Sequence, residues 1–254
     1  MILHFGNGQK GGVGKTFFIK MLIEYYLYKS WTYKLYDLDA GSLDVGKVYA
    51  PDIYAKKKKG DKTNDEYFLQ FTDNKYNQDE VDEIFESALA QNVICNLPSN
   101  IKHLFNPWIT DNGLIDLAKE NNTKIINWFV SNGEHSSIDE FIKYVNKFKN
   151  CETFQHVFVK NYGLEENWDR IIQQHKNLRE ILQADSIICL DLPAFSPTRY
   201  KIILDHNLTF AAAKDSKELN IVARQAVKKL LDLSFERFDQ AFIALNISQQ
   251  EVTP

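Results

Sequence analysis

Residues 10 to 16 read Lys10-Gly11-Gly12-Val13-Gly14-Lys15-Thr16, three glycines between two lysines with a hydroxyl at the end. Glycines let consecutive backbone N–H groups turn inward around an anion with no side chain in the way. A helix that follows adds the positive end of its dipole. The segment is a variant form of GxxxxGK[ST]: Lys15 is expected to reach the β and γ phosphates of ATP, and Thr16 to offer its hydroxyl to Mg²⁺. The cofactor-binding set expected here is Gly11, Gly12, Val13, Gly14, Lys15, Thr16 and Phe17. A chance glycine-rich turn would not need the apolar run Ile2-Leu3-His4-Phe5 before it and the helical period of Phe17 to Tyr28 after it.

Two further positions carry chemistry. Asp39, in Tyr36-Asp37-Leu38-Asp39-Ala40-Gly41, follows a second short apolar run, and ligands of open α/β sheets gather at the carboxyl ends of the strands. A turn cap is the plainer role for an Asp there. Asn161 follows the run Phe154 to Val159, where an asparagine also commonly caps a strand.

The elements that must position these residues alternate. Apolar runs at Tyr33 to Tyr36, Val93-Ile94, Lys124 to Val130, Phe154 to Val159 and Ser186 to Leu190 are separated by stretches of helical period. Those stretches are Asp111 to Glu120, Ser137 to Phe148, Glu165 to Leu182 and Ser216 to Leu233. The rhythm predicts an α/β fold, a doubly wound and mostly parallel sheet with helices on both faces. One domain over 1–254 is expected. The segment 41–79 breaks the rhythm and reads as an insertion, with only Glu66 to Phe71 resembling a strand.

The box from Lys10 to Thr16 resembles the deviant Walker A motif of the ParA/MinD ATPases, which carry an extra lysine at its start. Tyr36 to Gly41 resembles that family's switch I. The resemblance implies that Asp39 positions the attacking water and stands near the magnesium, and that Lys10 crosses a dimer interface to the partner's phosphates. Lys10, Lys15 and Asp39 become the catalytic candidates, Thr16 and Asp39 the metal candidates, and Asn161 a contact to adenine. Asn161-Tyr162, Ser196-Pro197 and the closing helix Asn220 to Leu231 are similar to nucleotide-binding proteins of plasmid mobilisation and conjugal transfer operons. A homodimer in the ATP state, with DNA or protein of a partition or mobilisation complex as partner, is what this likeness implies.

The pattern departs where the family's third strand ends in an acidic Walker B residue. Val93-Ile94-Cys95-Asn96-Leu97-Pro98-Ser99 has no carboxylate in any register. Asn96 can accept a hydrogen bond from a metal-bound water without adding charge, so slow hydrolysis is expected. Asp191, in Ile187 to Pro193, is a second Walker B candidate that comes two strands late; capping the helix that starts near Ser196-Pro197 is its plainer role. Phe17 stands where the family often has another hydroxyl.

Composition sets the outer bounds. The chain has 254 residues, 44% hydrophobic, and a net charge of −4, which does not suit a surface coated in basic residues. No apolar run approaches the ~18 to 20 residues of a bilayer span, so a cytoplasmic protein is expected. Cys95, Cys151 and Cys189 are too scattered for a disulfide framework or an iron–sulfur site and read as buried small hydrophobes. A membrane surface is disfavoured as partner: Phe235, Phe238, Phe242 and Ile243 are apolar at helical spacing but are mixed with Glu236 and Asp239, as in a packed helix. The run Lys56 to Lys59 is either a solvated loop or a contact for an acidic partner. A metabolic ligase or kinase of related P-loop fold, and a module that holds ATP without hydrolysing it, are the competing functions.

Overall fold

The computed structural model describes residues 1–39, 43–52, 69–74, 78–148, 151–183 and 187–247. Six strands form one parallel sheet: β1 (Ile2–Asn7), β2 (Lys34–Asp37), β3 (Val93–Asn96), β4 (Lys124–Ser131), β5 (Phe154–Asn161) and β6 (Ile188–Leu192). Their spatial order is β2-β3-β1-β4-β5-β6. In register, Gly6 lies beside Asn96 on one side and Trp128 on the other, and Asn161 lies beside Leu192.

The helices are α1 (Lys15–Tyr28), α2 (Gly46–Tyr49), α3 (Asp82–Ala90), α4 (Lys102–Asp111), α5 (Leu114–Glu120), α6 (His135–Lys147), α7 (Trp168–Gln174), α8 (Lys176–Leu182), α9 (Pro197–Asp205), α10 (Phe210–Ala213) and α11 (Ile221–Ala244). A 3₁₀ turn, Gln78–Val81, precedes α3. Crossovers between parallel strands are right-handed, so the direction of each step decides which face its helix covers. The chain steps one way from β1 to β2 and the other way at every later crossing. Accordingly α1 packs on one face with α11, and α3 to α8 pack on the other, giving two separate apolar clusters.

Helix α1 is buried nearly all round, as expected of a helix between a sheet and another helix. Its Phe18 and Tyr26 meet Trp128 and Phe242 in an aromatic layer around His4. Burial lowers the His4 pKa to about 3, leaving a neutral ring. Trp128 Nε1–H donates to its Nδ1 at 2.9 Å, so Nε2 carries the proton and donates to the Tyr26 hydroxyl at 2.6 Å.

Several expectations are corrected in detail. Helices α3 and α4 went unread, α5 starts at Leu114 and not at Asp111, and Glu165 to Leu182 holds two short helices. The last helix runs on to Ala244, and Phe238 and Phe242 are buried in the core. Residues 69–71 form no strand, while 66–68 and the run 56–59 lie outside the described residues. Of the cysteines only Cys95 is fully buried; Cys151 is half-buried and Cys189 exposed. Among the described residues no helix is long and apolar enough to cross a membrane.

Candidate functional site

The loop from Gly8 to Gly14 joins the carboxyl end of β1, the central strand where the chain's stepping direction reverses, to the first turn of α1. That is the place where an open α/β sheet leaves a crevice. Gly12 and Gly14 have φ of 81° and 100°, a left-handed backbone that other residues adopt only under strain. No side chain caps the amino end of α1, and no acidic residue lies in its first turn. Its first N–H groups thus remain suited to an anion.

Lys15 is buried, and its ammonium donates to the Lys10 carbonyl at 3.2 Å and to the Ser99 hydroxyl at 2.8 Å. Burial lowers its pKa, and the Asp39 carboxylate opposes that shift. Lys15 therefore has Asp39 within electrostatic reach and Ser99 within hydrogen-bond reach. Thr16 sits one residue further along α1, half-buried. Phe17 turns away from the loop and packs its ring against Tyr200 and Phe210, with centroids 5.3 and 5.7 Å apart. Only its backbone is left to serve a phosphate.

On the β3 side a carboxylate and an amide meet. Asp37 Oδ1 accepts from Asn96 Nδ2 at 2.8 Å, and its Oδ2 accepts from the backbone N–H of Gly46 at 2.8 Å and of Val45 at 3.1 Å. Desolvation raises the Asp37 pKa, and these hydrogen bonds pull against it. With its NH₂ committed to the carboxylate, Asn96 turns Oδ1 away from Asp37, and that oxygen is buried without a partner. An orphaned acceptor at the end of the strand beside the P-loop suits a metal-bound water, so the donor set of Thr16, Asp39 and Asn96 fits a magnesium ion.

Asp191 does not share this place. It lies on β6, separated from β1 by β4 and β5, and forms an ion pair with Lys160 at 2.7 Å. Nor does it cap the helix after it: Ser196 holds the N-cap position of α9, with Pro197 at the first turn.

On the β5 side Asn161 is buried with its amide on the loop. Its Nδ2 donates to the Val13 carbonyl at 2.9 Å, and its Oδ1 accepts from Gly163 N–H at 2.9 Å. Lys10 projects from the loop's outer side, half-exposed, and pairs with Glu134 at 3.0 Å. That pairing lowers the Glu134 pKa. The contacts of Ser99, Asp37 and Glu134 went unread in the sequence; a hydroxyl just past the Leu97-Pro98 turn was the one available sign.

A cavity of about 810 Å³ lies elsewhere, at the start of β5 between α6 and α8. None of the candidate catalytic, cofactor-binding or metal residues lines it.

No family model matches the sequence, and no curated protein does. Among solved structures the chain is similar to the MinD cell division protein of Aquifex aeolicus, with a TM-score of 0.51 at 15% identity, over 94% of this chain and 97% of that one. The MinC:MinD cell division protein complex of the same organism gives 0.48 at 15% identity, over 94% and 96%. At such identity the likeness shows the fold alone, and the fold argument rests on the first of the two.

Proposed function

We propose that this chain is an ATP-dependent dimerising switch of ParA/MinD type that hydrolyses ATP slowly and positions a cargo. The observation that carries the reading is the division of labour between two lysines of one loop. Lys15 is buried within it, while Lys10 stands outside it in an exposed ion pair. Backbone N–H groups from Gly11 to Thr16, with the Lys15 ammonium, hold the triphosphate. Thr16 and Asp39 hold Mg²⁺, which neutralises charge on the phosphate oxygens when bound.

Asp39 orients the attacking water, and the neutral Asn96 amide stands where a carboxylate would tighten the metal's hold. Turnover is slow for that reason. An exposed pair such as Lys10–Glu134 is screened by water and worth little, so Lys10 is free to exchange Glu134 for the phosphates of a second subunit. There water is excluded and the same charge counts for more. The likeness to nucleotide-binding proteins of mobilisation and transfer operons supports DNA or protein of a plasmid partition or mobilisation complex as the cargo.

Light scattering at matched protein concentration tests the switch. With ATP or a slowly hydrolysed analogue the parent is expected to dimerise, whereas Lys10→Ala binds nucleotide nearly as well and stays monomeric. A parent that remains monomeric at saturating nucleotide would sink the switch. An ATP-loaded monomer without turnover would promote the passive binding module in its place, which the neutral Asn96 already favours.

A further inference from the structure

Asn161 hydrogen-bonds the loop's own backbone, and the geometry of that contact assigns it a task. A trans peptide points its C=O and its N–H in opposite directions. The carbonyl of Val13 and the N–H of Gly14 belong to one peptide, so anchoring the former fixes the latter. Asn161 Nδ2 holds the Val13 oxygen at 2.9 Å from the β5 side. We infer that Asn161 is a positioning residue for the triphosphate: by pinning the Val13 carbonyl to the end of β5 it turns the Gly14 N–H outward, into the loop, as a fixed phosphate donor.

Three observations converge on this. Asn161 is itself immobilised, because its Oδ1 accepts from Gly163 N–H at 2.9 Å and the residue is buried. Gly14 takes φ of 100° at the N-cap of the helix that begins at the next residue, a backbone that fixes how the chain enters α1. A Cβ on Gly14 would stand 2.3 Å from Asn161 Nδ2, so the amide lies directly against this peptide and leaves room for glycine alone. The peptide between residues 13 and 14 is thus held by side chain on one side and by backbone conformation on the other. A preset donor needs no reorganisation when the anion arrives.

The inference rests on the ATP-binding reading and deepens it. It differs from an adenine contact in what it should recognise: a residue that sets the loop serves every polyphosphate, whereas a base contact serves only the nucleoside. Calorimetry with ATP–Mg²⁺ and with inorganic tripolyphosphate, on the parent, Asn161→Ala and Asn161→Asp, separates the two. Both variants are expected to lose affinity for the two ligands in the same proportion, about tenfold for one lost orienting hydrogen bond.

Asn161→Asp adds a signature that a merely structural role would not move. Ionised, the carboxylate repels the Val13 oxygen; protonated, it can donate to it. Its affinity relative to the parent should therefore recover as pH falls from 8 to 5.5. Weakened ATP binding with tripolyphosphate binding intact would overturn the inference in favour of a base contact, and unchanged affinity for both would remove Asn161 from the site. A parent that binds neither ligand would overturn the nucleotide reading itself, and this inference with it.

Discussion

The two flanks of the loop are built from different chemistry. On the β5 flank the groups that meet the loop are neutral: the Asn161 amide, the Val13 carbonyl and the Gly163 N–H. On the β3 flank charged groups gather among the neutral ones. Asp37, Asp39, Lys15 and, one turn below Thr16 on α1, the buried Lys20 all stand within electrostatic reach of at least one other. Neutral hydrogen bonds hold a geometry at any pH, while clustered charges respond to protons and to an arriving anion. The difference suggests that the β5 flank sets the loop's shape and the β3 flank sets its response to what binds there.

Substitutions at three positions on the charged flank would break or sharpen that contrast. The largest effect is expected from Lys15→Ala, which leaves the polyphosphate facing backbone dipoles alone. Affinity should fall by about a thousandfold, the order of ~4 kcal/mol for a lost desolvated charge contact. An affinity within tenfold of the parent in calorimetry would place the phosphate elsewhere.

Next comes Asp37→Ala, which strips a buried acceptor from the Val45 and Gly46 N–H groups and from Asn96. Urea unfolding should register a loss of about 3 kcal/mol. Asp37→Asn retains an acceptor for the two N–H groups, and Asn96 can rotate its amide to match, so its loss should be near 1 kcal/mol. Equal losses would mean that the charge, and not the acceptor, matters there.

The smallest of the three concerns Lys20, which is 2% exposed and lies over the Tyr200 ring at 5.6 Å. Desolvation lowers its pKa to about 8, with Asp44 and Asp37 raising it and Lys47 lowering it. A base whose folded pKa lies below its unfolded value destabilises the fold wherever both states are charged, here below about pH 8. Stability is regained as pH rises from there toward 10.5, the ordinary lysine value. Lys20→Met should then raise the unfolding free energy by about 1 kcal/mol at pH 7, with the gain fading by pH 10. A gain independent of pH would assign the effect to packing.

The sequence made the loop legible because its chemistry is written in one run of residues: only glycines and lysines at that spacing make a cradle, and strand and helix signals flank it. The parallel sheet was legible for the same local reason. The contacts that residues make across the sheet were not. Asn96 meets Asp37 only because β3 comes to lie between β2 and β1, an order no local pattern reports. Asn161 meets Val13 across 148 positions of chain.

Helix α4 carries Pro107 inside it, a residue that ordinarily interrupts a helical pattern. Lys20 and Glu24 look like the solvated side of an amphipathic helix. Instead they are buried, and Glu24 accepts from Tyr49 at 2.7 Å and from the Phe210 and Ala211 N–H groups that open α10.

The strand order also governs how the chain is made. β1 occupies the centre of the sheet, yet both its neighbours come later in the chain, β3 at Val93–Asn96 and β4 at Lys124–Ser131. Helix α1 waits longer still, since α11, which covers its outer side, starts at Ile221. At about 5–20 residues per second of synthesis, Phe18, Tyr25 and Tyr26 lie uncovered for roughly 10–40 seconds after they leave the ribosome. A nascent chain of this design presents its most aromatic helix to any chaperone at hand, and a chain stopped before α11 should aggregate where the full-length one folds.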